Sequence, residues 1–127
     1  MKKILILSGG YSKEKEISRA SAKSIYKTLK DKYKILVCEP DAEFISKIKK
    51  FKPDVVYNSL HGRFGEDGYI QALLENLKVK YTHSGVTSSS IAMDKEISKR
   101  IFIRNNIRTP KFLKLNNFDL IKNKNTL

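Results

Sequence analysis

Hydrophobic residues along this chain fall into two alternating patterns: short continuous runs, and longer stretches in which they recur every three or four positions. Lys3 to Ser8 is a run of the first kind and leads into Gly9-Gly10. From Ile17 onward, Ile17, Ser21, Ile25 and Leu29 share one i+4 row with Ala20, Ser24 and Thr28 beside it. Continuous runs suit strands covered on both faces, whereas the second spacing suits a helix with one buried stripe. Tyr33 to Glu39 predicts a second strand closed by Pro40, and Asp41 is placed to cap a helix whose Phe44, Ile45, Ile48 and Phe51 face one way. Val55 to Asn58 predicts a third strand, followed by a helical stripe of Ile70, Leu73, Leu74 and Leu77. A short strand over Val79 to Thr82, the small-residue stretch Ser84 to Ser90 and a helix from about Asp94 to Asn105 come next, with Lys111 to Leu113 available as one more edge strand. Strands alternating with helices predict a parallel sheet. The expected fold class is α/β: a doubly wound, mainly parallel sheet with ligands outside the carboxyl ends of its strands. Residues 1–113 form that domain, and 114–127, polar, rich in Lys and Asn and aperiodic, read as a linker or tail.

Composition narrows the function classes. A chain of 127 residues can bury one core, about two-thirds of its unfolded surface, whereas a complete multi-substrate enzyme is usually larger. No run of about twenty apolar residues occurs, and Ile4 to Leu7 is too brief for the apolar part of a signal peptide. A cytoplasmic protein with no membrane partner is expected. Cys38 is the only cysteine, which excludes an internal disulfide and a cysteine-built zinc site; within Ile35 to Cys38 it reads as a small buried hydrophobe. The net charge of +13 comes mostly from 21 Lys, with only 5 Arg. Those lysines are spread along every element and are not grouped with aromatics, so solvated faces are expected in place of a nucleic-acid surface.

The chemistry concentrates in the loops after the first and third predicted strands, where five of the six glycines lie. His61-Gly62-Arg63-Phe64-Gly65-Glu66-Asp67-Gly68 sets three glycines and four ionisable residues between a strand and a helix, a composition that lets backbone approach a ligand and charged groups orient it. His61 follows its strand directly and projects over the carboxyl edge of the sheet, either as a contact to a substrate carboxylate or amine or as a satisfied structural imidazole. Asp67 is placed to cap the next helix, leaving Glu66 to brace the loop or the imidazole; Arg63 reads as a surface charge. In Ser8-Gly9-Gly10-Tyr11-Ser12-Lys13-Glu14, Glu14 reaches the start of the first helix, where it either complements the helix dipole or receives an ammonium. Ser12 reads as an N-cap in preference to a nucleophile, since no base stands beside it. Gly9-Gly10 is neither a Walker loop nor the spaced dinucleotide fingerprint. Lys95, after the cap candidate Asp94, is a usable phosphate-facing cation.

These segments, extended to Gly9–Ser18, Leu60–Gln71, Ser84-Gly85-Val86 and Met93-Asp94-Lys95, resemble the amino-terminal domain of the D-alanine–D-alanine ligases, members of the ATP-grasp enzymes. The resemblance runs from about Lys2 to Pro110, and the octapeptide extended to Gln71 is its most specific part. It implies a Rossmann-like pre-ATP-grasp domain and, in the full-length enzyme, ATP- and Mg²⁺-dependent joining of two D-alanines for peptidoglycan through an acyl phosphate. On that resemblance Glu14 would hold the ammonium of the first D-alanine and His61 would lie beside the same substrate, these two being the catalytic-site candidates. Glu66 would brace the substrate site, Lys95 would reach the nucleotide phosphates, and no residue here would bind metal. The partners implied are D-alanine, the chain's own downstream ATP-grasp domains and, as is common in the family, a second copy. The segment alone is expected to fold without catalysing and to bind no cofactor tightly. Relatives making D-alanyl-D-lactate or D-alanyl-D-serine, and a stand-alone binding module on the same scaffold, are the alternatives. His83 stands where many members of the family have glycine.

Overall fold

The structure, a computed structural model, describes residues 1–115, so the tail expected over 114–127 lies outside the described residues from 116 on. The chain divides into two compact units, Met1–Met93 and Asp94–Leu127. No helix among the described residues is long and apolar enough to cross a membrane.

In the first unit, β1 (Lys3–Leu7), β2 (Lys34–Cys38) and β3 (Val55–Asn58) form a parallel sheet in the order β2-β1-β3. Ile4 aligns with Ile35 on one side and with Val55 on the other. Four helices, α1 (Lys15–Leu29), α2 (Phe44–Phe51), α3 (Tyr69–Asn76) and α4 (Val86–Met93), accompany it. The alternation of β1 divides two cores. Ile4 and Ile6 pack with Ala22, Ile25 and Leu29 of α1, while Leu5 and Leu7 pack with Phe44 and Ile48 of α2 and with Ile70 and Leu74 of α3. The sheet is thus wound on both faces, and a right-handed crossover from β1 to β2 followed by one back to β3 requires this. Chains leaving β1 and β3 diverge to opposite faces, which opens a crevice between their carboxyl ends. Cys38 is buried in the second core, and burial pushes its thiol up to about 11.

Several local expectations are corrected. Asp41 does not cap α2: its Oδ1 accepts the Glu43 N–H and its Oδ2 accepts from Lys47 at 2.7 Å, so it shapes the turn before a helix that begins at Phe44. The strand expected at Val79 to Thr82 shrinks to one parallel bridge, Val56 to Tyr81. The ladder stops there because the Thr82 hydroxyl, not a backbone carbonyl, accepts the next N–H, that of Asn58, and His83 turns the chain at φ 85°. The serine-rich stretch after Gly85 forms α4, which the sequence did not announce because its apolar residues mark no single face.

In the second unit, Asp94 caps α5 (Lys95–Arg104) as expected, its Oδ1 accepting the Glu96 and Ile97 N–H groups at 2.9 Å each. Lys111 to Leu113 add no strand. That segment is tied instead to α5 by Lys99, whose Nζ donates to the Pro110 carbonyl at 3.0 Å and sits 5.3 Å from the Phe112 ring centre.

Candidate functional site

Glu14 and the octapeptide meet at the crevice between β1 and β3. Ser12 Oγ accepts the Glu14 N–H at 3.1 Å, one turn before α1 begins, so Ser12 shapes the entry to the helix without being its N-cap. Glu14 takes the N-cap position and its side chain makes no capping bond, which leaves the carboxylate for other work. Gly62 lies directly against it: a Cβ at this residue would sit 3.1 Å from Glu14 Oε2 and 3.2 Å from Ser12 Cβ, and φ is 70°. Glycine is needed there for both reasons. The carboxylate of Glu14 is thereby packed one residue from His61.

Glu66 spans its own loop. Its Oε2 accepts the Gly62 N–H at 2.7 Å, and its Oε1 lies 3.9 Å from His61 Nδ1, an ion pair when the imidazole is protonated. Of the two bracing roles open to Glu66, the one the hydrogen bonds carry is that of the loop, and its other oxygen stands near the imidazole beyond hydrogen-bond distance. Asp67 Oδ1 accepts the Tyr69 N–H at the start of α3, and its Oδ2 accepts the Phe64 N–H. Phe64 holds φ 67°, an unusual value for a bulky residue. Its ring is gripped edge-on between Tyr11 at 6.2 Å and Tyr69 at 5.3 Å. These rings border an apolar cleft of about 380 Å³ reaching Pro40, Phe44 and Ile45. Arg63 is exposed.

His83 is exposed, with Nδ1 3.1 Å from Thr82 Oγ1 and its ring edge-on to Tyr57 at 6.3 Å. Its positive φ is the conformation that favours glycine. Lys95 is the first residue of α5 in the second unit, where it is exposed. Its neighbour Glu96 pairs with Lys114 and Arg100, and those two cations hold its carboxyl below the usual range.

A family model described as D-ala D-ala ligase N-terminus matches residues 39–84. A D-alanine–D-alanine ligase of Pelagibacter ubique is 63% identical over 116 residues, which cover 91% of this chain and 38% of that protein. One of a Wolbachia from Brugia malayi is 46% identical over 121 residues, covering 94% and 36%. The crystal structure of the Bacillus anthracis D-alanine–D-alanine ligase complexed with ATP superimposes at a TM-score of 0.79 with 35% identity, covering 98% of this chain and 45% of that one. The chain belongs to the amino-terminal part of the D-alanine–D-alanine ligase family. It spans somewhat over a third of the length of the curated relatives it matches.

Four residues of this ligase segment were not singled out by sequence reasoning. Ser18, fully buried on α1, accepts the Gly9 N–H through Oγ and the Ser59 hydroxyl through its carbonyl, binding the two loops to one helix. Asn58 and Gln71 both donate to the Gly65 carbonyl. The only signal available was a neutral polar residue at a position that strand or helix periodicity turns inward.

Proposed function

We propose that this chain is the amino-terminal part of an ATP-dependent ligase joining two D-alanine molecules into the dipeptide of peptidoglycan, and that it grips the first D-alanine. The observation that carries the reading is the approach of the Glu14 carboxylate to Gly62, the residue that follows His61, on loops that leave the carboxyl ends of β1 and β3, where a doubly wound sheet takes its ligands. Glu14 receives the substrate ammonium through a charge-assisted contact, and His61 faces the same molecule with its ring oriented by Glu66. A substrate so held loses rotational freedom before reaction, and positioning of this kind supplies much of the rate advantage in phosphoryl and acyl transfer.

In the full-length protein ATP, held with Mg²⁺, would supply the phosphoryl group that activates the first carboxylate. Lys95 fits a phosphate contact: Asp94 already takes the first N–H groups of α5 and Glu96 is paired elsewhere, so the exposed ammonium of Lys95 is the group on offer. The magnesium carboxylates and the remainder of the nucleotide cradle belong to downstream ATP-grasp domains of the longer protein. Residues 1–113 act as the pre-ATP-grasp domain, with 114 onward leading to those domains. The working form is a cytoplasmic homodimer, and the segment alone neither catalyses nor binds nucleotide tightly.

Glu14→Gln in the full-length protein tests the central role. Loss of a charge-assisted contact predicts about 2 kcal/mol, or roughly thirtyfold, in kcat/KM for D-alanine, measured by phosphate release from ATP. Unchanged KM and turnover would reject it.

A further inference from the structure

We propose that Asn58 and Gln71 are positioning residues for the His61 loop, acting jointly through the carbonyl oxygen of Gly65. The inference rests on the reading of His61 and Glu66 as substrate-facing. Asn58, at the end of β3, donates from Nδ2 to that oxygen at 2.8 Å and accepts the Leu60 N–H at Oδ1. Gln71, on α3, donates from Nε2 to the same oxygen at 3.0 Å. A carbonyl has two lone pairs, and both are taken by side chains fixed in the core.

What this oxygen holds is the neighbouring peptide. A Cβ on Gly65 would lie 2.5 Å from Leu60 Cβ and 3.3 Å from the His61 nitrogen, so Gly65 is seated flat on the Leu60–His61 backbone. Fixing Gly65 therefore fixes the peptide from which the imidazole projects, and Glu66 is the next residue along. Gln71 would be a costly choice if stability were its whole purpose. Its Oε1 is buried and meets no hydrogen-bond partner among the described residues, a condition that costs free energy a methionine of similar length would avoid. The amide brings to this spot a second donor that an apolar side chain cannot.

The test uses Gln71→Met, which keeps length and apolar stem while removing both the donor and the orphaned acceptor. In the full-length protein the melting temperature is expected not to fall, while kcat/KM for D-alanine drops about tenfold, mainly through KM. Amide exchange at Leu60 and Gly62 should accelerate about tenfold while Leu5 and Ile6 stay protected. Gln71→Glu supplies a donor only while its carboxyl is protonated, so its loop exchange should approach that of the unsubstituted protein at about pH 5 and depart from it at about pH 8. General loss of stability with faster exchange throughout the core, or unaltered exchange at Leu60 and Gly62, would overturn the proposal. If the unsubstituted protein does not join D-alanine, the functional reading fails by itself, and the exchange measurements still decide the clamp.

Discussion

At residue 65 any side chain forces the loop to shift, because a methyl group would lie 2.5 Å from Leu60 Cβ. Gly65→Ala is expected to destabilise the fold by about 1–3 kcal/mol through forced displacement of the loop, measured as a lowered urea midpoint with an unchanged slope. The charged members of the candidate site, Glu14, His61 and Glu66, could be named from the sequence because ionisable groups set among glycines in a strand-to-helix loop stand out there, whether they serve a ligand or, as Glu66 does, the loop itself. The uncharged members could not. Ser18, Ser59, Asn58 and Gln71 occupy inward positions where a serine, asparagine or glutamine is indistinguishable, in one dimension, from a neutral surface residue. Their function depends on which backbone group each meets, and those groups are up to 41 positions away in the chain.

Among elements, the strongly periodic ones were legible: α1, α2, α3 and all three strands lie within two or three residues of where hydrophobic spacing puts them. The α4 helix was hidden because serines fill positions that normally announce a buried stripe, and the bridge at Tyr81 was over-read as a strand because a short apolar run carries no information on where its ladder ends. The cap of α5 was readable, since Asp before a helical stripe has a definite mechanism. Asp94→Ala should cost that helix about 1 kcal/mol, seen as faster amide exchange at Glu96, Ile97 and Ser98. The failure of Lys111 to Leu113 to form a strand also has a local cause. The ammonium of Lys99 offers the segment a hydrogen bond at Pro110 and a cation over Phe112 without a sheet edge.

For the whole molecule, charge and topology set the behaviour. Each unit has a carboxylate held below its ordinary range by cations: Asp41, chiefly through the hydrogen bond from Lys47, and Glu96, chiefly through Lys114 and then Arg100. A carboxyl whose folded value is depressed binds fewer protons folded than unfolded. Its stabilisation is complete above the ordinary values of 3.8 and 4.5 and is lost as pH falls through the lowered folded ones. Thermal unfolding followed from neutral pH downward should hold level to about pH 5 and then decline. Asp41→Asn should flatten that decline for the first unit. Protonation also raises a net charge already at +13, so self-repulsion steepens the acid limb.

The contact of Gly62 with Glu14 carries a consequence for sorting unfamiliar genes. A chain on this backbone that places a side chain at position 62 must displace the acidic oxygen of position 14 by a few tenths of an ångström and hold φ 70° with a Cβ, so the two sites bear on each other although they sit far apart in the reading frame. A segment that keeps the architecture but lacks this glycine and this acid lacks the contact on which the proposed amine grip rests.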